Sequence, residues 1–190
     1  MLGDSNTARP QSGGGRWTDL VQRRLGRRVI MLNEGLDGRT AGFDAGELNG
    51  LEILPRVLFA HAPVDWLLLM LGTNDQKFGY GPPTPCDIVD VLGRLVSLAT
   101  AAAPSLQVML LTPPPMGRIL NAELRGAHSR LAETAAGIKQ LAADRRLPCV
   151  DLHAALDAAR HLNRDGVHLN KRGRRAVARA VLPMLARKLC

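Results

Sequence analysis

Aromatic residues are scarce in this 190-residue chain: two Trp, one Tyr and three Phe. That is too few for a flavin-stacking pocket or for the aromatic platforms that hold single-stranded nucleic acid. Cysteine is equally sparse. Cys86, Cys149 and Cys190 stand far apart; they fit no zinc spacing and cannot all pair. Cys86 and Cys149 are therefore expected as small buried apolar residues with reduced thiols. No apolar run approaches the roughly 20 residues of a membrane span. No charged and apolar leader precedes Gly3, so a cytoplasmic location is expected. Acidic residues are missing from one region only. Arg160–Cys190 carries nine Lys or Arg and one acid, Asp165, whereas residues 1–159 balance. The net charge of +8 therefore belongs to the tail.

What is present reads as one globular domain spanning 1–190. Hydrophobic residues make up 46% and charged residues 22%, ordinary folded values. Short apolar runs at Val29–Leu32, Val64–Leu71, Leu106–Thr112 and Pro148–Leu152 predict buried strands. Helical patterns lie between them: from about Arg16, around Pro55, and over Asp87–Ala102, Ala122–Arg145 and Lys171–Leu189. Pro183 is expected to kink or end the last helix. With the segment before Gly3, the alternation predicts a parallel five-stranded sheet in a three-layer α/β/α sandwich. Only Met1 and Leu2 precede Gly3, so the first strand reads as a stub, or the true start lies upstream. Such a stub would leave an unfilled slot in the core.

In such sheets, ligands meet the loops after the strands. Four loops there carry chemistry. Ser5, in Gly3-Asp4-Ser5, is a candidate nucleophile. His168 follows Asp165 by three residues, a spacing that can set a carboxylate on one imidazole nitrogen and leave the other for Ser5. Asn74, in Gly72-Thr73-Asn74-Asp75, is a side-chain amide donor. The loop Asn33–Thr40 offers glycine N–H groups to a developing oxyanion. Taken singly, each element has an ordinary reading as a turn or cap. Their joint order along the chain does not.

Together the four blocks resemble the SGNH (GDSL) hydrolase superfamily. Glu34-Gly35-Leu36, Arg39-Thr40, Leu48-Asn49-Gly50, Met70–Asp75, Lys77 and Thr84-Pro85 resemble its arylesterase-like branch. The resemblance implies a flavodoxin-like fold and a serine hydrolase needing no cofactor or metal. Ser5, Asp165 and His168 would be catalytic, and Ser5, Gly38 and Asn74 would form the oxyanion hole. It implies hydrolysis of small aryl or alkyl esters, with acyl transfer to alcohols where these compete. A carbohydrate O-deacetylase, a thioesterase, a lysophospholipase and an inactive binding-only relative are the alternatives. Asp75 is expected to fix its loop by accepting backbone N–H groups. Asp4, Arg39, Lys77, Phe78, Pro114 and Val167 are candidate substrate contacts. For Arg39 and Lys77, a solvated charge is the competing account. Phe78–Pro83 and Pro113–Leu120 are expected to wall a cleft that is too poor in nearby chain (Gln11–Gly15) to carry a lid. The partner is then a small ester, not nucleic acid, and no membrane span is expected; the basic tail is expected to steer anionic substrates or contact an anionic surface, and self-association into a homo-oligomer is left open. Trp17 is expected in the core, and His61, His128, His153 and His161 are expected away from the chemistry. A phosphate or flavin binder on the same topology would leave Asp165 and His168 without a role.

Overall fold

A computed structural model describes residues 1–9, 15–77, 83–118, 122–124 and 126–189. Its strands are β1 (Leu2–Gly3), β2 (Glu34–Gly35), β3 (Trp66–Met70), β4 (Gln107–Leu111) and β5 (Cys149–Val150). They form one sheet in the order β2-β1-β3-β4-β5, and each adjacent pair is parallel. Its helices are α1 (Ser5–Ala8), α2 (Trp17–Leu25), α3 (Gly50–His61), α4 (Pro85–Ala102), α5 (Ala127–Asp144), α6 (Leu152–Ala155), α7 (Ala158–His161) and α8 (Lys171–Leu189).

The apolar runs of β3 and β4 explain the layering. Successive side chains on a strand face opposite sides. Leu67, Leu69, Val108 and Leu110 join Leu54, Leu92 and Ile138 of α3, α4 and α5 in one core. Leu68, Met70, Met109 and Leu111 join Trp17, Val21, Val177 and Val181 of α2 and α8 in the other. A strand covered on both faces must be apolar along its buried length, as Leu67–Met70 and Val108–Leu111 are. Trp17 is fully buried, as expected. Thr84 opens α4 with a reciprocal cap to Asp87, Asp87 N to Thr84 Oγ1 at 3.2 Å and Thr84 N to Asp87 Oδ2 at 2.8 Å.

Four expectations need correction. Val29–Leu32 is not a strand. A strand exists only where a neighbour can bond it, and β1 offers two residues. Met1 supplies the last contacts on that side, its amino group donating to Leu32 O (2.9 Å) and its carbonyl accepting from Glu34 N (2.8 Å). Ile30 is consequently 81% exposed. A cavity of about 570 Å³ opens beside Met1 and Leu2, lined also by Met31, Leu32, Val64 and Trp66. The α8 helix also continues past Pro183 rather than ending there. Pro183 sits on the exposed side, so its ring meets solvent rather than the packed stripe. The pattern over Ala122–Arg145 divides into a 3-10 turn at Ala122–Leu124 and α5. Finally, Cys86 is exposed in the first turn of α4, while Cys149 is half-buried; burial pushes the Cys149 thiol up to about 11.

Candidate active site

The strand order reverses direction between β1 and β3, and ligands in open α/β sheets meet the carboxyl ends of the strands at such a point. Asp4 follows β1 there and caps α1, accepting from Asn6 N at 2.8 Å. This places Ser5 at the first position of that short helix. Ser5 Oγ lies 3.0 Å from His168 Nε2, and His168 Nδ1 lies 2.8 Å from Asp165 Oδ2. The other carboxylate oxygen, Asp165 Oδ1, accepts from the backbone N–H groups of Val167 and His168, both at 2.9 Å. Partial burial works against the Asp165 charge. The two N–H groups and the imidazole outweigh it and hold the carboxyl below its ordinary range. The carboxylate thus fixes both the backbone turn and the ring that the turn carries.

A feature absent from the sequence reading joins the two halves of this arrangement. Asn6 is buried beside Ser5. Its Oδ1 accepts from Leu169 N at 2.8 Å, and its Nδ2 donates to Val167 O at 3.3 Å. Asn6 therefore grips the chain on both sides of His168. Its signal in the sequence was only adjacency to Ser5, since an Asn in a short helix reads equally well as a turn residue.

The glycine loop after β2 approaches α1 closely. A Cβ on Gly35 would lie 2.3 Å from Ala8 N, so only glycine fits. Gly38 has φ +85, a conformation glycine adopts without cost. Asn74 lies in the 3-10 turn Asn74–Gln76 after β3, and its Nδ2 donates to Arg39 O at 3.0 Å. Next to it, Asp75 accepts from Ala41 N at 2.8 Å, the loop-fixing role expected for it. The two bonds clamp the glycine loop against the end of β3. Among the described residues, the N–H groups of Ser5 and Gly38 donate to no protein acceptor. Asn74 Nδ2 likewise has one protein acceptor, Arg39 O, for its two amide hydrogens.

The candidate substrate contacts divide. Arg39 is neither a solvated charge nor a surface contact for an anion: it is 3% exposed. Its guanidinium bonds the carbonyls of Gly3 (3.3 Å), Glu47 (3.1 Å) and Glu34. A planar fork of donors suits several carbonyls that converge on one point. Asp4 is also withdrawn from solvent, and burial pushes its carboxyl up to about 6. Asp75 lies in a similar position; burial raises it to about 7. Val167 packs against Met116, Leu124 and Leu131. Pro114 is buried, and Lys77 is half-buried just after the Asn74–Gln76 turn. Phe78, Gln11–Gly14 and Leu120 lie outside the described residues. His61 has a partner that its sequence context did not show, Glu34 at 2.6 Å. His161 Nδ1 accepts from Asp157 N at 2.8 Å. Among the described residues, no cluster of His, Cys, Asp and Glu could hold a metal, and no helix is long and apolar enough to cross a membrane.

Comparison with known proteins gives the same picture. The profile of the GDSL-like lipase/acylhydrolase family matches residues 1–176. A carbohydrate acetylesterase from Sinorhizobium meliloti, Est24, is 27% identical with a TM-score of 0.87, over 97% of this chain and 96% of its own. The aryl esterase of M. smegmatis is also 27% identical with a TM-score of 0.87, over 100% and 97%. A second carbohydrate acetylesterase family member from S. meliloti is 29% identical with a TM-score of 0.85, over 99% and 96%. A search of curated proteins finds no match. Fold, loop geometry and similarity converge: the chain belongs to the GDSL-like lipase/acylhydrolase family and is a carboxylic ester hydrolase of the SGNH type.

Proposed function

We propose that residues 1–190 act as a single domain that cleaves small aryl or alkyl acyl esters through an acyl-enzyme on Ser5. The observation that carries this reading is the unbroken path Ser5 Oγ–His168 Nε2 (3.0 Å) and His168 Nδ1–Asp165 Oδ2 (2.8 Å). A serine hydroxyl is a weak nucleophile until a base takes its proton. In the first step Ser5 Oγ bonds to the ester carbonyl carbon as its proton passes to His168. Asp165 stabilises the imidazolium that results. The carbonyl oxygen becomes an oxyanion held by the N–H groups of Ser5 and Gly38 and by the Asn74 amide. Losing one such donor typically raises the barrier by about 3–4 kcal/mol. His168 then returns its proton to the departing alkoxide. Water, activated by His168, releases the acid by the reverse sequence; an alcohol in its place gives transfer. No step needs a metal or organic cofactor.

A second reading, deacetylation of carbohydrate esters, is favoured by the likeness to Est24, a carbohydrate acetylesterase. It uses the same chemistry on a larger alcohol. The test is a p-nitrophenyl ester chain-length series with wild type and Ser5→Ala, beside labelling of Ser5 by an organophosphonate. Acetate or butyrate should be preferred, with activity and labelling lost in the variant. Equal rates in both proteins, or an intact wild type that takes no label, would reject the proposal.

A further inference from the structure

We infer that the basic face running from the Asp165–His168 turn along α8 docks a linear polyanion, an acidic polysaccharide bearing O-acyl groups, and presents it to Ser5. This deepens the esterase reading and rests on it. Arg164 immediately precedes Asp165, and Lys171 and Arg172 open α8 just after His168. Arg118 follows Gly117, whose N–H donates to Gly166 O at 2.7 Å, so a further cation borders the same turn. Arg175 and Arg179 continue the row. All six side chains are exposed. Among the described residues, none of the six is in an ion pair or side-chain hydrogen bond.

Fold stability does not account for this placement. The first turn of a helix favours acids, because its free N–H groups carry partial positive charge. The first turn of α8 holds no acid and two cations. Lys171, Arg175 and Arg179 then repeat at intervals of four residues, a spacing at which like charges repel. They form a line of about 12 Å on one side of the helix, turned away from the stripe of buried Val177, Val181 and Leu185. A line of that length calls for several anionic groups in succession rather than one. A bilayer fits poorly, because interfacial helices pair cations with exposed apolar anchors. Among the described residues the exposed large apolar ones are Ile30, Leu32, Phe43 and Phe59, none of them on α8. Duplex DNA carries no acyl ester for Ser5. An O-acylated polyuronate supplies both the repeated carboxylates and the ester.

The test uses Arg175→Glu/Arg179→Glu, two positions outside the catalytic machinery. On acetylated polygalacturonate, kcat/KM should fall at least about tenfold in the variant. Wild type should lose a similar factor between about 20 and about 300 mM salt, as screening predicts. Rates on p-nitrophenyl acetate and on acetylated xylan, which is neutral, should stay within about twofold. Binding of ester-free polygalacturonate, read by affinity electrophoresis, tests docking without catalysis. Loss of p-nitrophenyl acetate hydrolysis in wild type would strike the esterase reading and leave the binding result to stand or fall alone. Equal binding by wild type and variant would overturn the docking proposal. So would tighter retention of wild type by duplex DNA or by phosphatidylglycerol vesicles than by polygalacturonate.

Discussion

Replacing Asn6 by alanine should damage catalysis through geometry rather than chemistry. Asn6 touches no reacting atom, yet it ties α1, which carries Ser5, to Val167 and Leu169, which flank His168. The substitution removes one donor and one acceptor at once. It leaves the Leu169 N–H and the Val167 carbonyl without their buried partner. Each orphaned buried group costs about 1–3 kcal/mol. Because the Val167 bond is long at 3.3 Å, the lower part of the range applies to it, and a total of about 2–4 kcal/mol is expected. The same change lets the His168 segment drift from Ser5. A displacement of about 1 Å in such a pair can cost up to a hundredfold. With p-nitrophenyl acetate as substrate, kcat should therefore fall about ten- to hundredfold while KM changes less than about threefold. Urea unfolding gives the stability arm. A kcat within twofold of wild type, alongside the expected stability loss, would show that the tether holds the fold and not the site. Unchanged stability would refute the bonding argument itself.

Arg39→Met should lower both Tm and kcat, since three backbone carbonyls lose their donor; Arg39→Lys should recover only part of either, because one ammonium cannot match the fork. Thermal melts and steady-state rates check this. Asp75 makes stability depend on pH. Its carboxyl is pushed up to about 7 in the folded chain, from an ordinary 3.8. Between those values the folded state holds a proton that the unfolded state has released, so this contribution is present at low pH and lost as pH rises through about 7. Asp75→Asn should show a shallower decline in urea midpoint from pH 5 to 8; parallel profiles would refute the assignment. Filling the cavity of about 570 Å³ beside Met31, Leu32 and Trp66 by fusing four apolar residues ahead of Met1 should raise Tm by several degrees. An unchanged melt would mean that the space is not filled by extended chain.

The sequence disclosed the proposed reacting groups because each lies in a short linear block. Asp165 and His168 are three residues apart, and local turn geometry alone brings them together. β3 and β4 were legible for a different reason: burial on both faces demands continuous apolar runs, which few other structures do. What failed depended on partners remote in the chain. Val29–Leu32 has strand composition but no neighbour to pair with. Asp4 and Arg39 carry charge, and charge ordinarily predicts exposure. Their burial follows from capping α1 and from carbonyls that converge only after folding. Asn6 was invisible because its two partners lie 161 and 163 residues away. Pro183 misled because the rule against proline in helices weighs the lost bond without knowing which side of the helix it is on.

The shortness of β1 has a consequence for the order in which the protein fails. A two-residue strand makes few ladder bonds, so Ser5 is held largely by side-chain tethers from Asn6 and from Arg39, and by Asn33, whose Nδ2 donates to Thr7 O at 3.0 Å. The β3–β4 pair and the helices over it form a more continuous body. In mild denaturant the tethers should open as a local unit before that body melts. Hydrolysis would then disappear at a urea concentration where the far-ultraviolet circular dichroism is still native.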